Sequence, residues 1–196
     1  MSLSTRLAVV LTTVGLVSAA LLVGVNLATR DRIAANKQKE IDEAITRVVP
    51  GTRVSEKIHE EKGFTLYAGK DEGGTLLGYA INAAVGGFQD QIFFIIGTNA
   101  ELTRLNSLYI LDQKETPGLG AKITDRTAFL RFWEGKDIQQ RLILRKPPIG
   151  MDELGPTEIN TITGATVSSE SVLAGVNGAL EKTKLLKREG KLPVKE

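Results

Sequence analysis

A hydroxyl-rich turn near the end of the chain has the residue types and spacing to hold a phosphate group. The turn is Asn160-Thr161-Ile162-Thr163-Gly164-Ala165-Thr166-Val167-Ser168-Ser169, and an apolar helical pattern follows it directly. The first N–H groups of a helix lack acceptors within the helix, and its N-terminus is partially positive, so this turn suits an anion. The alternative is plain helix capping, in which Ser and Thr oxygens accept those N–H groups for about 1 kcal/mol.

A Pro-Gly loop between a predicted strand and a predicted helix is the second candidate element. Its sequence is Lys114-Glu115-Thr116-Pro117-Gly118-Leu119-Gly120-Ala121-Lys122. Gly118 and Gly120 permit positive φ angles and a close approach of the backbone to a flat ring, and Pro117 stiffens the turn. The pattern is neither a Walker loop nor a complete dinucleotide fingerprint, so by itself it defines no ligand.

The composition excludes several kinds of redox centre. The 196 residues include no cysteine, which excludes disulfides, Cys-ligated iron–sulfur clusters and thioether-attached haem. The single histidine, His59, excludes a His-rich metal site, and its charged neighbours predict a solvated surface position. A net charge of +2, without interleaved basic and aromatic residues, argues against nucleic acid as a partner. A redox cofactor here would have to be organic, and a flavin meets that condition.

The N-terminal region predicts a membrane helix. Residues 7–28 carry no charge, and as a helix they span roughly 33 Å, enough for a hydrocarbon core of about 30 Å. A cleavable signal peptide is the alternative, but the span is long and continues into a helical pattern, which favours an uncleaved anchor in contact with membrane lipid. Gly15 with Ala19, and Ala20 with Gly24, have the spacing used in helix–helix packing, although small residues are frequent in membrane helices generally.

The remaining sequence predicts a small α+β domain with antiparallel strands and flanking helices. A helical stripe ends at Pro50-Gly51, and short β-like runs separated by turns follow it. The predicted strands are Phe64–Tyr67, Leu76–Ala83, Gln91–Ile96, Leu105–Leu111 and Arg141–Leu144. Helices are predicted over Asp125–Trp133, with Phe129, Phe132 and Trp133 buried, and around Val172, Leu173, Val176 and Leu180. The predicted division is a tail at 1–6, a transmembrane helix at 7–28, a connector helix at 29–50, the domain at 51–181 and a basic C-terminal tail at 182–196.

Together, the loop and the turn resemble one protein family. Glu115–Gly120 closely resembles the signature loop of the RnfG/NqrC family, the FMN-carrying subunits of membrane redox complexes, and Thr163–Thr166 resembles its flavin-attachment motif. The separation of about 45 residues between the two elements also matches the family. Gly86–Ile92 resembles the family's glycine-aromatic turn and strand, and Phe132–Lys136 a less specific aromatic-Gly-Lys element. The resemblance covers essentially the whole chain and is closer to the Rnf branch.

The resemblance implies an FMN-binding domain with covalently attached FMN. A dedicated flavin transferase would transfer the FMN group from FAD, so that the FMN phosphate forms a phosphoester with the Thr166 hydroxyl. The turn would cradle the phosphate, and the loop would cover the isoalloxazine with Leu119 as an apolar contact. The implied cofactor-binding residues are Thr166, Thr163, Gly164, Ala165, Glu115, Thr116, Gly118, Leu119 and Gly120. We expect no metal site and no catalytic acid–base set.

Two further positions bear on the site. The family's attachment pattern usually has an acidic residue four positions before its glycine, where this chain has Asn160. Asn keeps the size and the acceptor oxygen but loses the charge that a flavin transferase would meet, and we still expect attachment. Lys146 is a weaker candidate for a cation beside the reduced flavin, for which a surface lysine is the simpler interpretation.

The resemblance implies an electron-relay subunit of an Rnf-type, ion-translocating ferredoxin:NAD⁺ oxidoreductase. Such a subunit is not catalytic alone, and its partners would be the other membrane and peripheral subunits. It implies one membrane span in the bacterial cytoplasmic (inner) membrane, with the FMN domain on the outer, periplasmic face. The basic residues after the span outnumber those before it, which by the positive-inside rule places the domain in the cytoplasm, although long domains cross largely regardless of charge.

Two alternatives come from other functional classes. The same domain could serve a membrane-anchored FMN-binding sensor or regulatory protein, although the chain has no recognisable signalling domain. A flavin-free scaffold subunit would leave Thr166 as an ordinary helix cap.

Overall fold

The computed structural model describes residues 2–193. The chain divides into two compact units, the first ending at Glu40 and the second beginning at Ile41. This division falls inside the predicted connector at 29–50, because Ala44, Ile45 and Val48 are buried in the second unit. The elements of the described chain are α1 (Leu3–Val48), β1 (Val54–Glu61), β2 (Phe64–Lys70), β3 (Leu76–Gly86), β4 (Gln91–Asn99), β5 (Leu105–Asp112), β6 (Ile143–Arg145), β7 (Glu158–Asn160) and α2 (Thr166–Arg188), with short 3₁₀ helices at Gly120–Thr124, Leu130–Trp133 and Met151–Glu153.

The first unit is helical. By length and composition, α1 is the one helix among the described residues that is long and apolar enough to cross a membrane. Its Leu and Val side chains between residues 3 and 27 are exposed, as a lipid-facing helix requires. The helix begins at Leu3, so the predicted tail at 1–6 is helical from that residue; Met1 lies outside the described residues.

The second unit contains an antiparallel five-stranded sheet in the order β1-β2-β3-β4-β5. Successive side chains of a strand point to opposite faces. On one face, Leu66, Ile81 and Phe94 belong to the main core, which α2 shares. On the other face, a smaller core includes Tyr67 and Ala80 together with the last turns of α1. The sheet therefore has a helix against each face.

The four predicted strands from Phe64 to Leu111 are confirmed, each extended by up to three residues. The sequence missed β1, because its segment Val54–Glu61 is mostly charged and lacks an apolar alternation. β1 lies at an edge of the sheet, where charged side chains discourage pairing with other chains. His59 in this strand is half-buried rather than solvated, with its ring edge-on to Phe64 and Nε2 2.8 Å from a Glu61 oxygen.

The predicted helix over Asp125–Trp133 is wrong except for its last four residues, which form a 3₁₀ helix. The Asp125 carboxylate accepts the N–H groups of Thr127 and Ala128, an arrangement that competes with regular helix formation. Burial of Phe129, Phe132 and Trp133 is confirmed. The predicted strand at Arg141–Leu144 is displaced to Ile143–Arg145, where it pairs in parallel with β7.

The predicted basic tail at 182–196 is wrong over its first residues, because α2 continues to Arg188. Thr183 and Leu186 are buried, which extends the apolar face of α2 beyond the predicted end. Residues 194–196 of that tail lie outside the described residues.

A glycine in β4 allows the end of α1 to approach the sheet. A Cβ atom added at Gly97 would lie 1.8 Å from the backbone oxygen of Val48. In the neighbouring strand β3, a Cβ at Gly78 would lie 3.4 Å from Val49 and 1.9 Å from the backbone oxygen of Thr98. No side chain can occupy Gly97 unless the backbone of α1 moves away, so this glycine sets the closeness of the contact.

We expect Gly97→Ala to lower the free energy of unfolding by about 3 kcal/mol, because overpacking against backbone cannot be relieved by a rotamer change. Fluorescence of Trp133, the one tryptophan of the chain and fully buried, reports unfolding of the detergent-solubilised protein. Gly86→Ala is the matched control, because a Cβ at Gly86 in β3 meets nothing within 4 Å. Equal stability of the two variants would contradict the prediction.

Candidate functional site

The turn before α2 depends on a glycine with a positive φ angle. Gly164 has φ +81°, a conformation that L residues with a side chain rarely adopt. A Cβ at this position would lie 3.2 Å from Cδ2 of Leu119. The glycine therefore reverses the chain just before Thr166, where α2 begins, and lets the turn contact the Pro-Gly loop.

The hydroxyl groups of the turn do not cap α2. No side-chain hydrogen bond caps its N-terminus at Ala165. Ser168 donates instead to Glu115, while Ser169 donates to the Ala165 carbonyl and accepts the Ile162 N–H. The capping alternative is therefore not realised.

The first turn of α2 keeps its N–H groups available. Within the described residues, the N–H groups of Thr166, Val167 and Ser168 have no protein acceptor. These three donors and the partial positive charge of the helix N-terminus form an anion-binding environment beside the Thr166 hydroxyl.

Glu115 is a buried carboxylate that joins three segments of the chain. Its side chain is only 4% exposed. Oε1 accepts the N–H groups of Phe88 at 2.9 Å and Gln89 at 3.1 Å. Oε2 accepts the Ser168 hydroxyl at 2.5 Å. One charged group therefore holds the 86–89 turn, the Pro-Gly loop and the start of α2 together through charge-assisted hydrogen bonds.

Two glycines provide the space for this carboxylate. A Cβ at Gly87 would lie 2.3 Å from Oε1 of Glu115, and one at Gly120 would lie 2.7 Å from Oε2. Gly118 has a different role, because its φ of +78° forms the turn while nothing lies within 4 Å of its Cβ position. Of the two loop glycines identified from the sequence, Gly118 therefore provides the turn conformation and Gly120 the space for the carboxylate.

A surface ion pair adds a second link, between Asp90, which follows the 86–89 turn, and the loop. The Lys114 ammonium lies 3.1 Å from an Asp90 carboxylate oxygen, and both side chains are well exposed. The Gln91 N–H and Lys114 together lower the pKa of Asp90, and Asp90 raises the pKa of Lys114. Being exposed, this pair orients the segments more than it stabilises the fold.

The two motifs enclose one cavity of about 350 Å³. It is lined by Phe88, Glu115, Thr116, Leu119, Gly120, Gly164, Ala165, Thr166, Val167 and Ser168. Of the predicted site residues, only Thr163 and Gly118 are absent from the lining. Three lining residues expose large apolar side chains, Phe88, Leu119 and Val167. A larger groove of about 530 Å³ beside β5 contains neither motif.

The sequence missed three lining residues, Phe88, Val167 and Ser168. Phe88 had been noted only within the segment that resembles the family's glycine-aromatic turn, which is distant in sequence from both motifs. Ser168 had been interpreted as a possible helix cap, because its hydrogen bond to Glu115 depends on tertiary structure.

Asn160 is buried, and its amide makes two hydrogen bonds with one backbone unit. Nδ2 donates to the Ile149 carbonyl at 2.7 Å, and Oδ1 accepts the Ile149 N–H at 3.1 Å. Its side chain is 2% exposed. This pairing needs both a donor and an acceptor, which an ionised carboxylate does not supply.

Lys146 pairs with a carboxylate of α2. Its ammonium group donates to Glu170, in the first turns of the helix, and both side chains are partly exposed. It does not line the cavity. The surface-lysine interpretation therefore describes it better than a role beside a cofactor.

Two family models match most of this chain. The FMN-binding domain model matches residues 87–181, which include the whole cavity lining. The model for the RnfG N-terminal region matches residues 3–48, the extent of α1. The fold and the matched regions define an FMN-binding domain preceded by a long apolar helix. Residues 3–48 therefore match the RnfG N-terminal region and residues 87–181 the FMN-binding domain, which supports the resemblance to the RnfG/NqrC family.

Three curated relatives carry related names. The G subunit of the Na⁺-translocating ferredoxin:NAD⁺ oxidoreductase complex of Acetobacterium woodii is 30% identical over 64% of this chain. The match spans only 61% of that relative's length. The G subunit of the ion-translocating oxidoreductase complex of Methanosarcina acetivorans is 23% identical over 90% of this chain and 93% of its own length. The G subunit of the proton-translocating ferredoxin:NAD⁺ oxidoreductase complex of Clostridium ljungdahlii is 24% identical over 76% of this chain and 75% of its own length.

Two solved structures share the fold. NqrC of Shewanella oneidensis superposes with a TM-score of 0.51 at 16% identity, covering 72% of this chain and 74% of that one. The C subunit of the Na⁺-translocating NADH-quinone reductase from Parabacteroides distasonis superposes with a TM-score of 0.55 at 17% identity, covering 77% of this chain and 92% of that one. The antiparallel α+β fold expected from the sequence is therefore confirmed.

Replacing Glu115 tests its structural role. We expect Glu115→Ala to lower the free energy of unfolding by about 3 kcal/mol, because it leaves two N–H groups and a hydroxyl without an acceptor. Amide hydrogen exchange at Phe88 and Gln89 should accelerate together with the loss of stability. Glu115→Gln keeps one acceptor oxygen for the two N–H groups and should lose less. Unchanged exchange at both amides in Glu115→Ala would contradict this role.

Replacing Asn160 by the family's acidic residue tests the amide pairing. In Asn160→Asp the ionised carboxylate faces the Ile149 carbonyl without a donor, so the pKa of the new carboxyl rises above its unfolded value. A raised pKa means that the variant is closest to wild type at pH below about 4 and loses about 1–3 kcal/mol as the pH rises. Urea unfolding across pH measures this loss. The exposed substitution Gln140→Glu is the control, and a pH-independent difference would contradict the mechanism.

Proposed function

We propose that this chain carries FMN covalently, through a phosphoester between the FMN phosphate and the hydroxyl of Thr166. One observation carries the proposal. Thr166 and the two residues after it, whose N–H groups lack protein acceptors, line the same cavity as three exposed apolar side chains. An anion site adjoining an apolar cavity is what a nucleotide with a flat aromatic ring requires.

The residues at the polar end fit a phosphate. The N–H groups of Thr166, Val167 and Ser168 would donate to its oxygens at the positive end of a 23-residue helix. Within the turn, the hydroxyls of Thr161, Ser168 and Ser169 donate to protein acceptors. Thr166 is the remaining hydroxyl of this turn that lines the cavity, which makes it the residue available for esterification.

The residues at the apolar end fit the isoalloxazine ring. Leu119 lines the cavity and is 48% exposed, and its Cδ2 would lie 3.2 Å from a Cβ added at Gly164. Thr116 and Gly120 bring the loop backbone to the same cavity. FMN when bound supplies one- and two-electron transfer, and the protein supplies its position and surroundings. A covalent bond at the phosphate retains the cofactor without altering the ring.

We further propose that the protein is an electron-relay subunit of a membrane-bound, ion-translocating electron transport complex of the Rnf type. Support comes from the three relatives, whose names describe the G subunits of ferredoxin:NAD⁺ or ion-translocating oxidoreductase complexes. Turnover would belong to the assembly with the other Rnf subunits, because the relatives are named as single subunits of such complexes. α1 would anchor the chain once in the bacterial inner membrane, with the FMN domain on the periplasmic face and a flavin transferase acting during maturation.

Denaturing electrophoresis under flavin-exciting light tests the attachment. The wild-type protein, made in cells that contain a flavin transferase, should give a fluorescent band, because a phosphoester survives denaturation. Thr166→Ala should give a dark band of the same intensity in protein stain. Thr163→Ala is the matched hydroxyl control and should stay fluorescent, because Thr163 does not line the cavity.

The same variant tests the relay in membranes. Thr166→Ala should abolish electron transfer from ferredoxin to NAD⁺ in membranes that hold the complete complex, whereas Thr163→Ala should retain it. A dark wild-type band would overturn covalent attachment. Full electron transfer in Thr166→Ala membranes would overturn the relay.

A further inference from the structure

Phe88 is an aromatic side chain left in solvent at the cavity. It is 68% exposed, although Phe is normally among the buried residues. It lines the cavity with Leu119 and Val167, and these three apolar side chains come from three different segments of the chain. An apolar rim of this kind around a pocket marks a place where a ligand is covered.

The backbone of Phe88 is held in place by hydrogen bonds. Its N–H donates to Oε1 of Glu115 at 2.9 Å. The preceding residue, Gly87, donates its N–H to the Asp90 carbonyl at 2.8 Å and is packed too closely for a Cβ. The backbone of Phe88 is therefore positioned before any ligand binds, and only the side-chain torsions of its ring remain to be fixed.

We propose that Phe88 is the aromatic platform on which the isoalloxazine ring of the Thr166-linked FMN stacks. This inference rests on the proposed function, because it requires a flavin in the cavity. Aromatic rings attract each other in offset-stacked or edge-to-face arrangements at centroid separations of about 4.5–7 Å. The Glu115 carboxylate thereby links two parts of the site, since it holds the Phe88 backbone and the Ser168 side chain beside the attachment residue.

The composition of the cavity makes the stacking measurable. Tyr and Trp side chains quench flavin fluorescence on contact by donating an electron to the excited ring, whereas Phe does not. No Tyr or Trp is among the residues that line this cavity in the described part of the chain. A tryptophan placed at residue 88 therefore introduces a quencher at the proposed contact.

Phe93 offers a matched control position. It is a partly exposed aromatic residue of β4, with 39% of its surface accessible. Its neighbours Ile92 and Phe94 point into the core that α2 shares, so Phe93 points to the opposite face of the sheet. A tryptophan there changes the surface similarly without reaching the cavity beside α2.

The experiment compares Phe88→Trp, Phe93→Trp and wild type as flavinylated, detergent-solubilised full-length proteins. Native flavin fluorescence is divided by the fluorescence of the same sample in denaturant, where the cofactor stays attached but loses its contacts. We expect a several-fold lower ratio in Phe88→Trp and a wild-type ratio in Phe93→Trp. In Phe88→Ala, the native flavin should rotate more freely, which lowers its fluorescence anisotropy, while Phe88→Leu should lie between Ala and wild type.

The outcomes separate this inference from the proposed function. A wild-type ratio in Phe88→Trp with a fluorescent denatured band overturns the stacking and leaves FMN attachment intact. Flavin fluorescence anisotropy equal to that of wild type in Phe88→Ala would likewise overturn the stacking and leave FMN attachment intact. A dark denatured band in wild type overturns the attachment itself, and the stacking with it.

Discussion

The site depends on one buried carboxylate. Glu115 accepts hydrogen bonds from the 86–89 turn and from α2 while belonging to the Pro-Gly loop, so three segments distant in sequence meet at two oxygen atoms. A buried charge is costly unless its hydrogen bonds are satisfied. Gly87 and Gly120 leave the space that brings those donors close enough. Residues of all three segments line the same cavity.

The sequence predicted the secondary-structure elements better than the tertiary contacts between them. Strands with apolar alternation were recognisable from residue types, whereas the charged edge strand β1 was not. The loop and the turn were identified through resemblance, and the structure brings both to one cavity. The sequence did not predict which serine and threonine hydroxyls of the turn donate to protein acceptors. Those hydrogen bonds depend on tertiary contacts, such as the one between Ser168 and Glu115, which are 53 residues apart.

Asn160 illustrates a related limit. The family usually has an acidic residue at this position, and the lost charge suggested an effect on recognition by a flavin transferase. That inference used only the difference in charge between the two residue types. In the folded domain the side chain is buried and satisfied by the backbone of Ile149. The consequence of the substitution is therefore best sought in the stability of the segment before the turn.

The contact between Gly97 and the end of α1 has a practical consequence for producing the domain without its membrane helix. A fragment that starts at Gly51, the domain boundary predicted from the sequence, would expose the apolar face formed by Tyr67, Ala80 and Ile95. A fragment that starts at Ile41 keeps Ala44, Ile45 and Val48 as the cover of that face. The last turns of the anchor helix thus belong to the globular domain, and proteolytic release of a folded domain requires cleavage on the membrane side of Ile41.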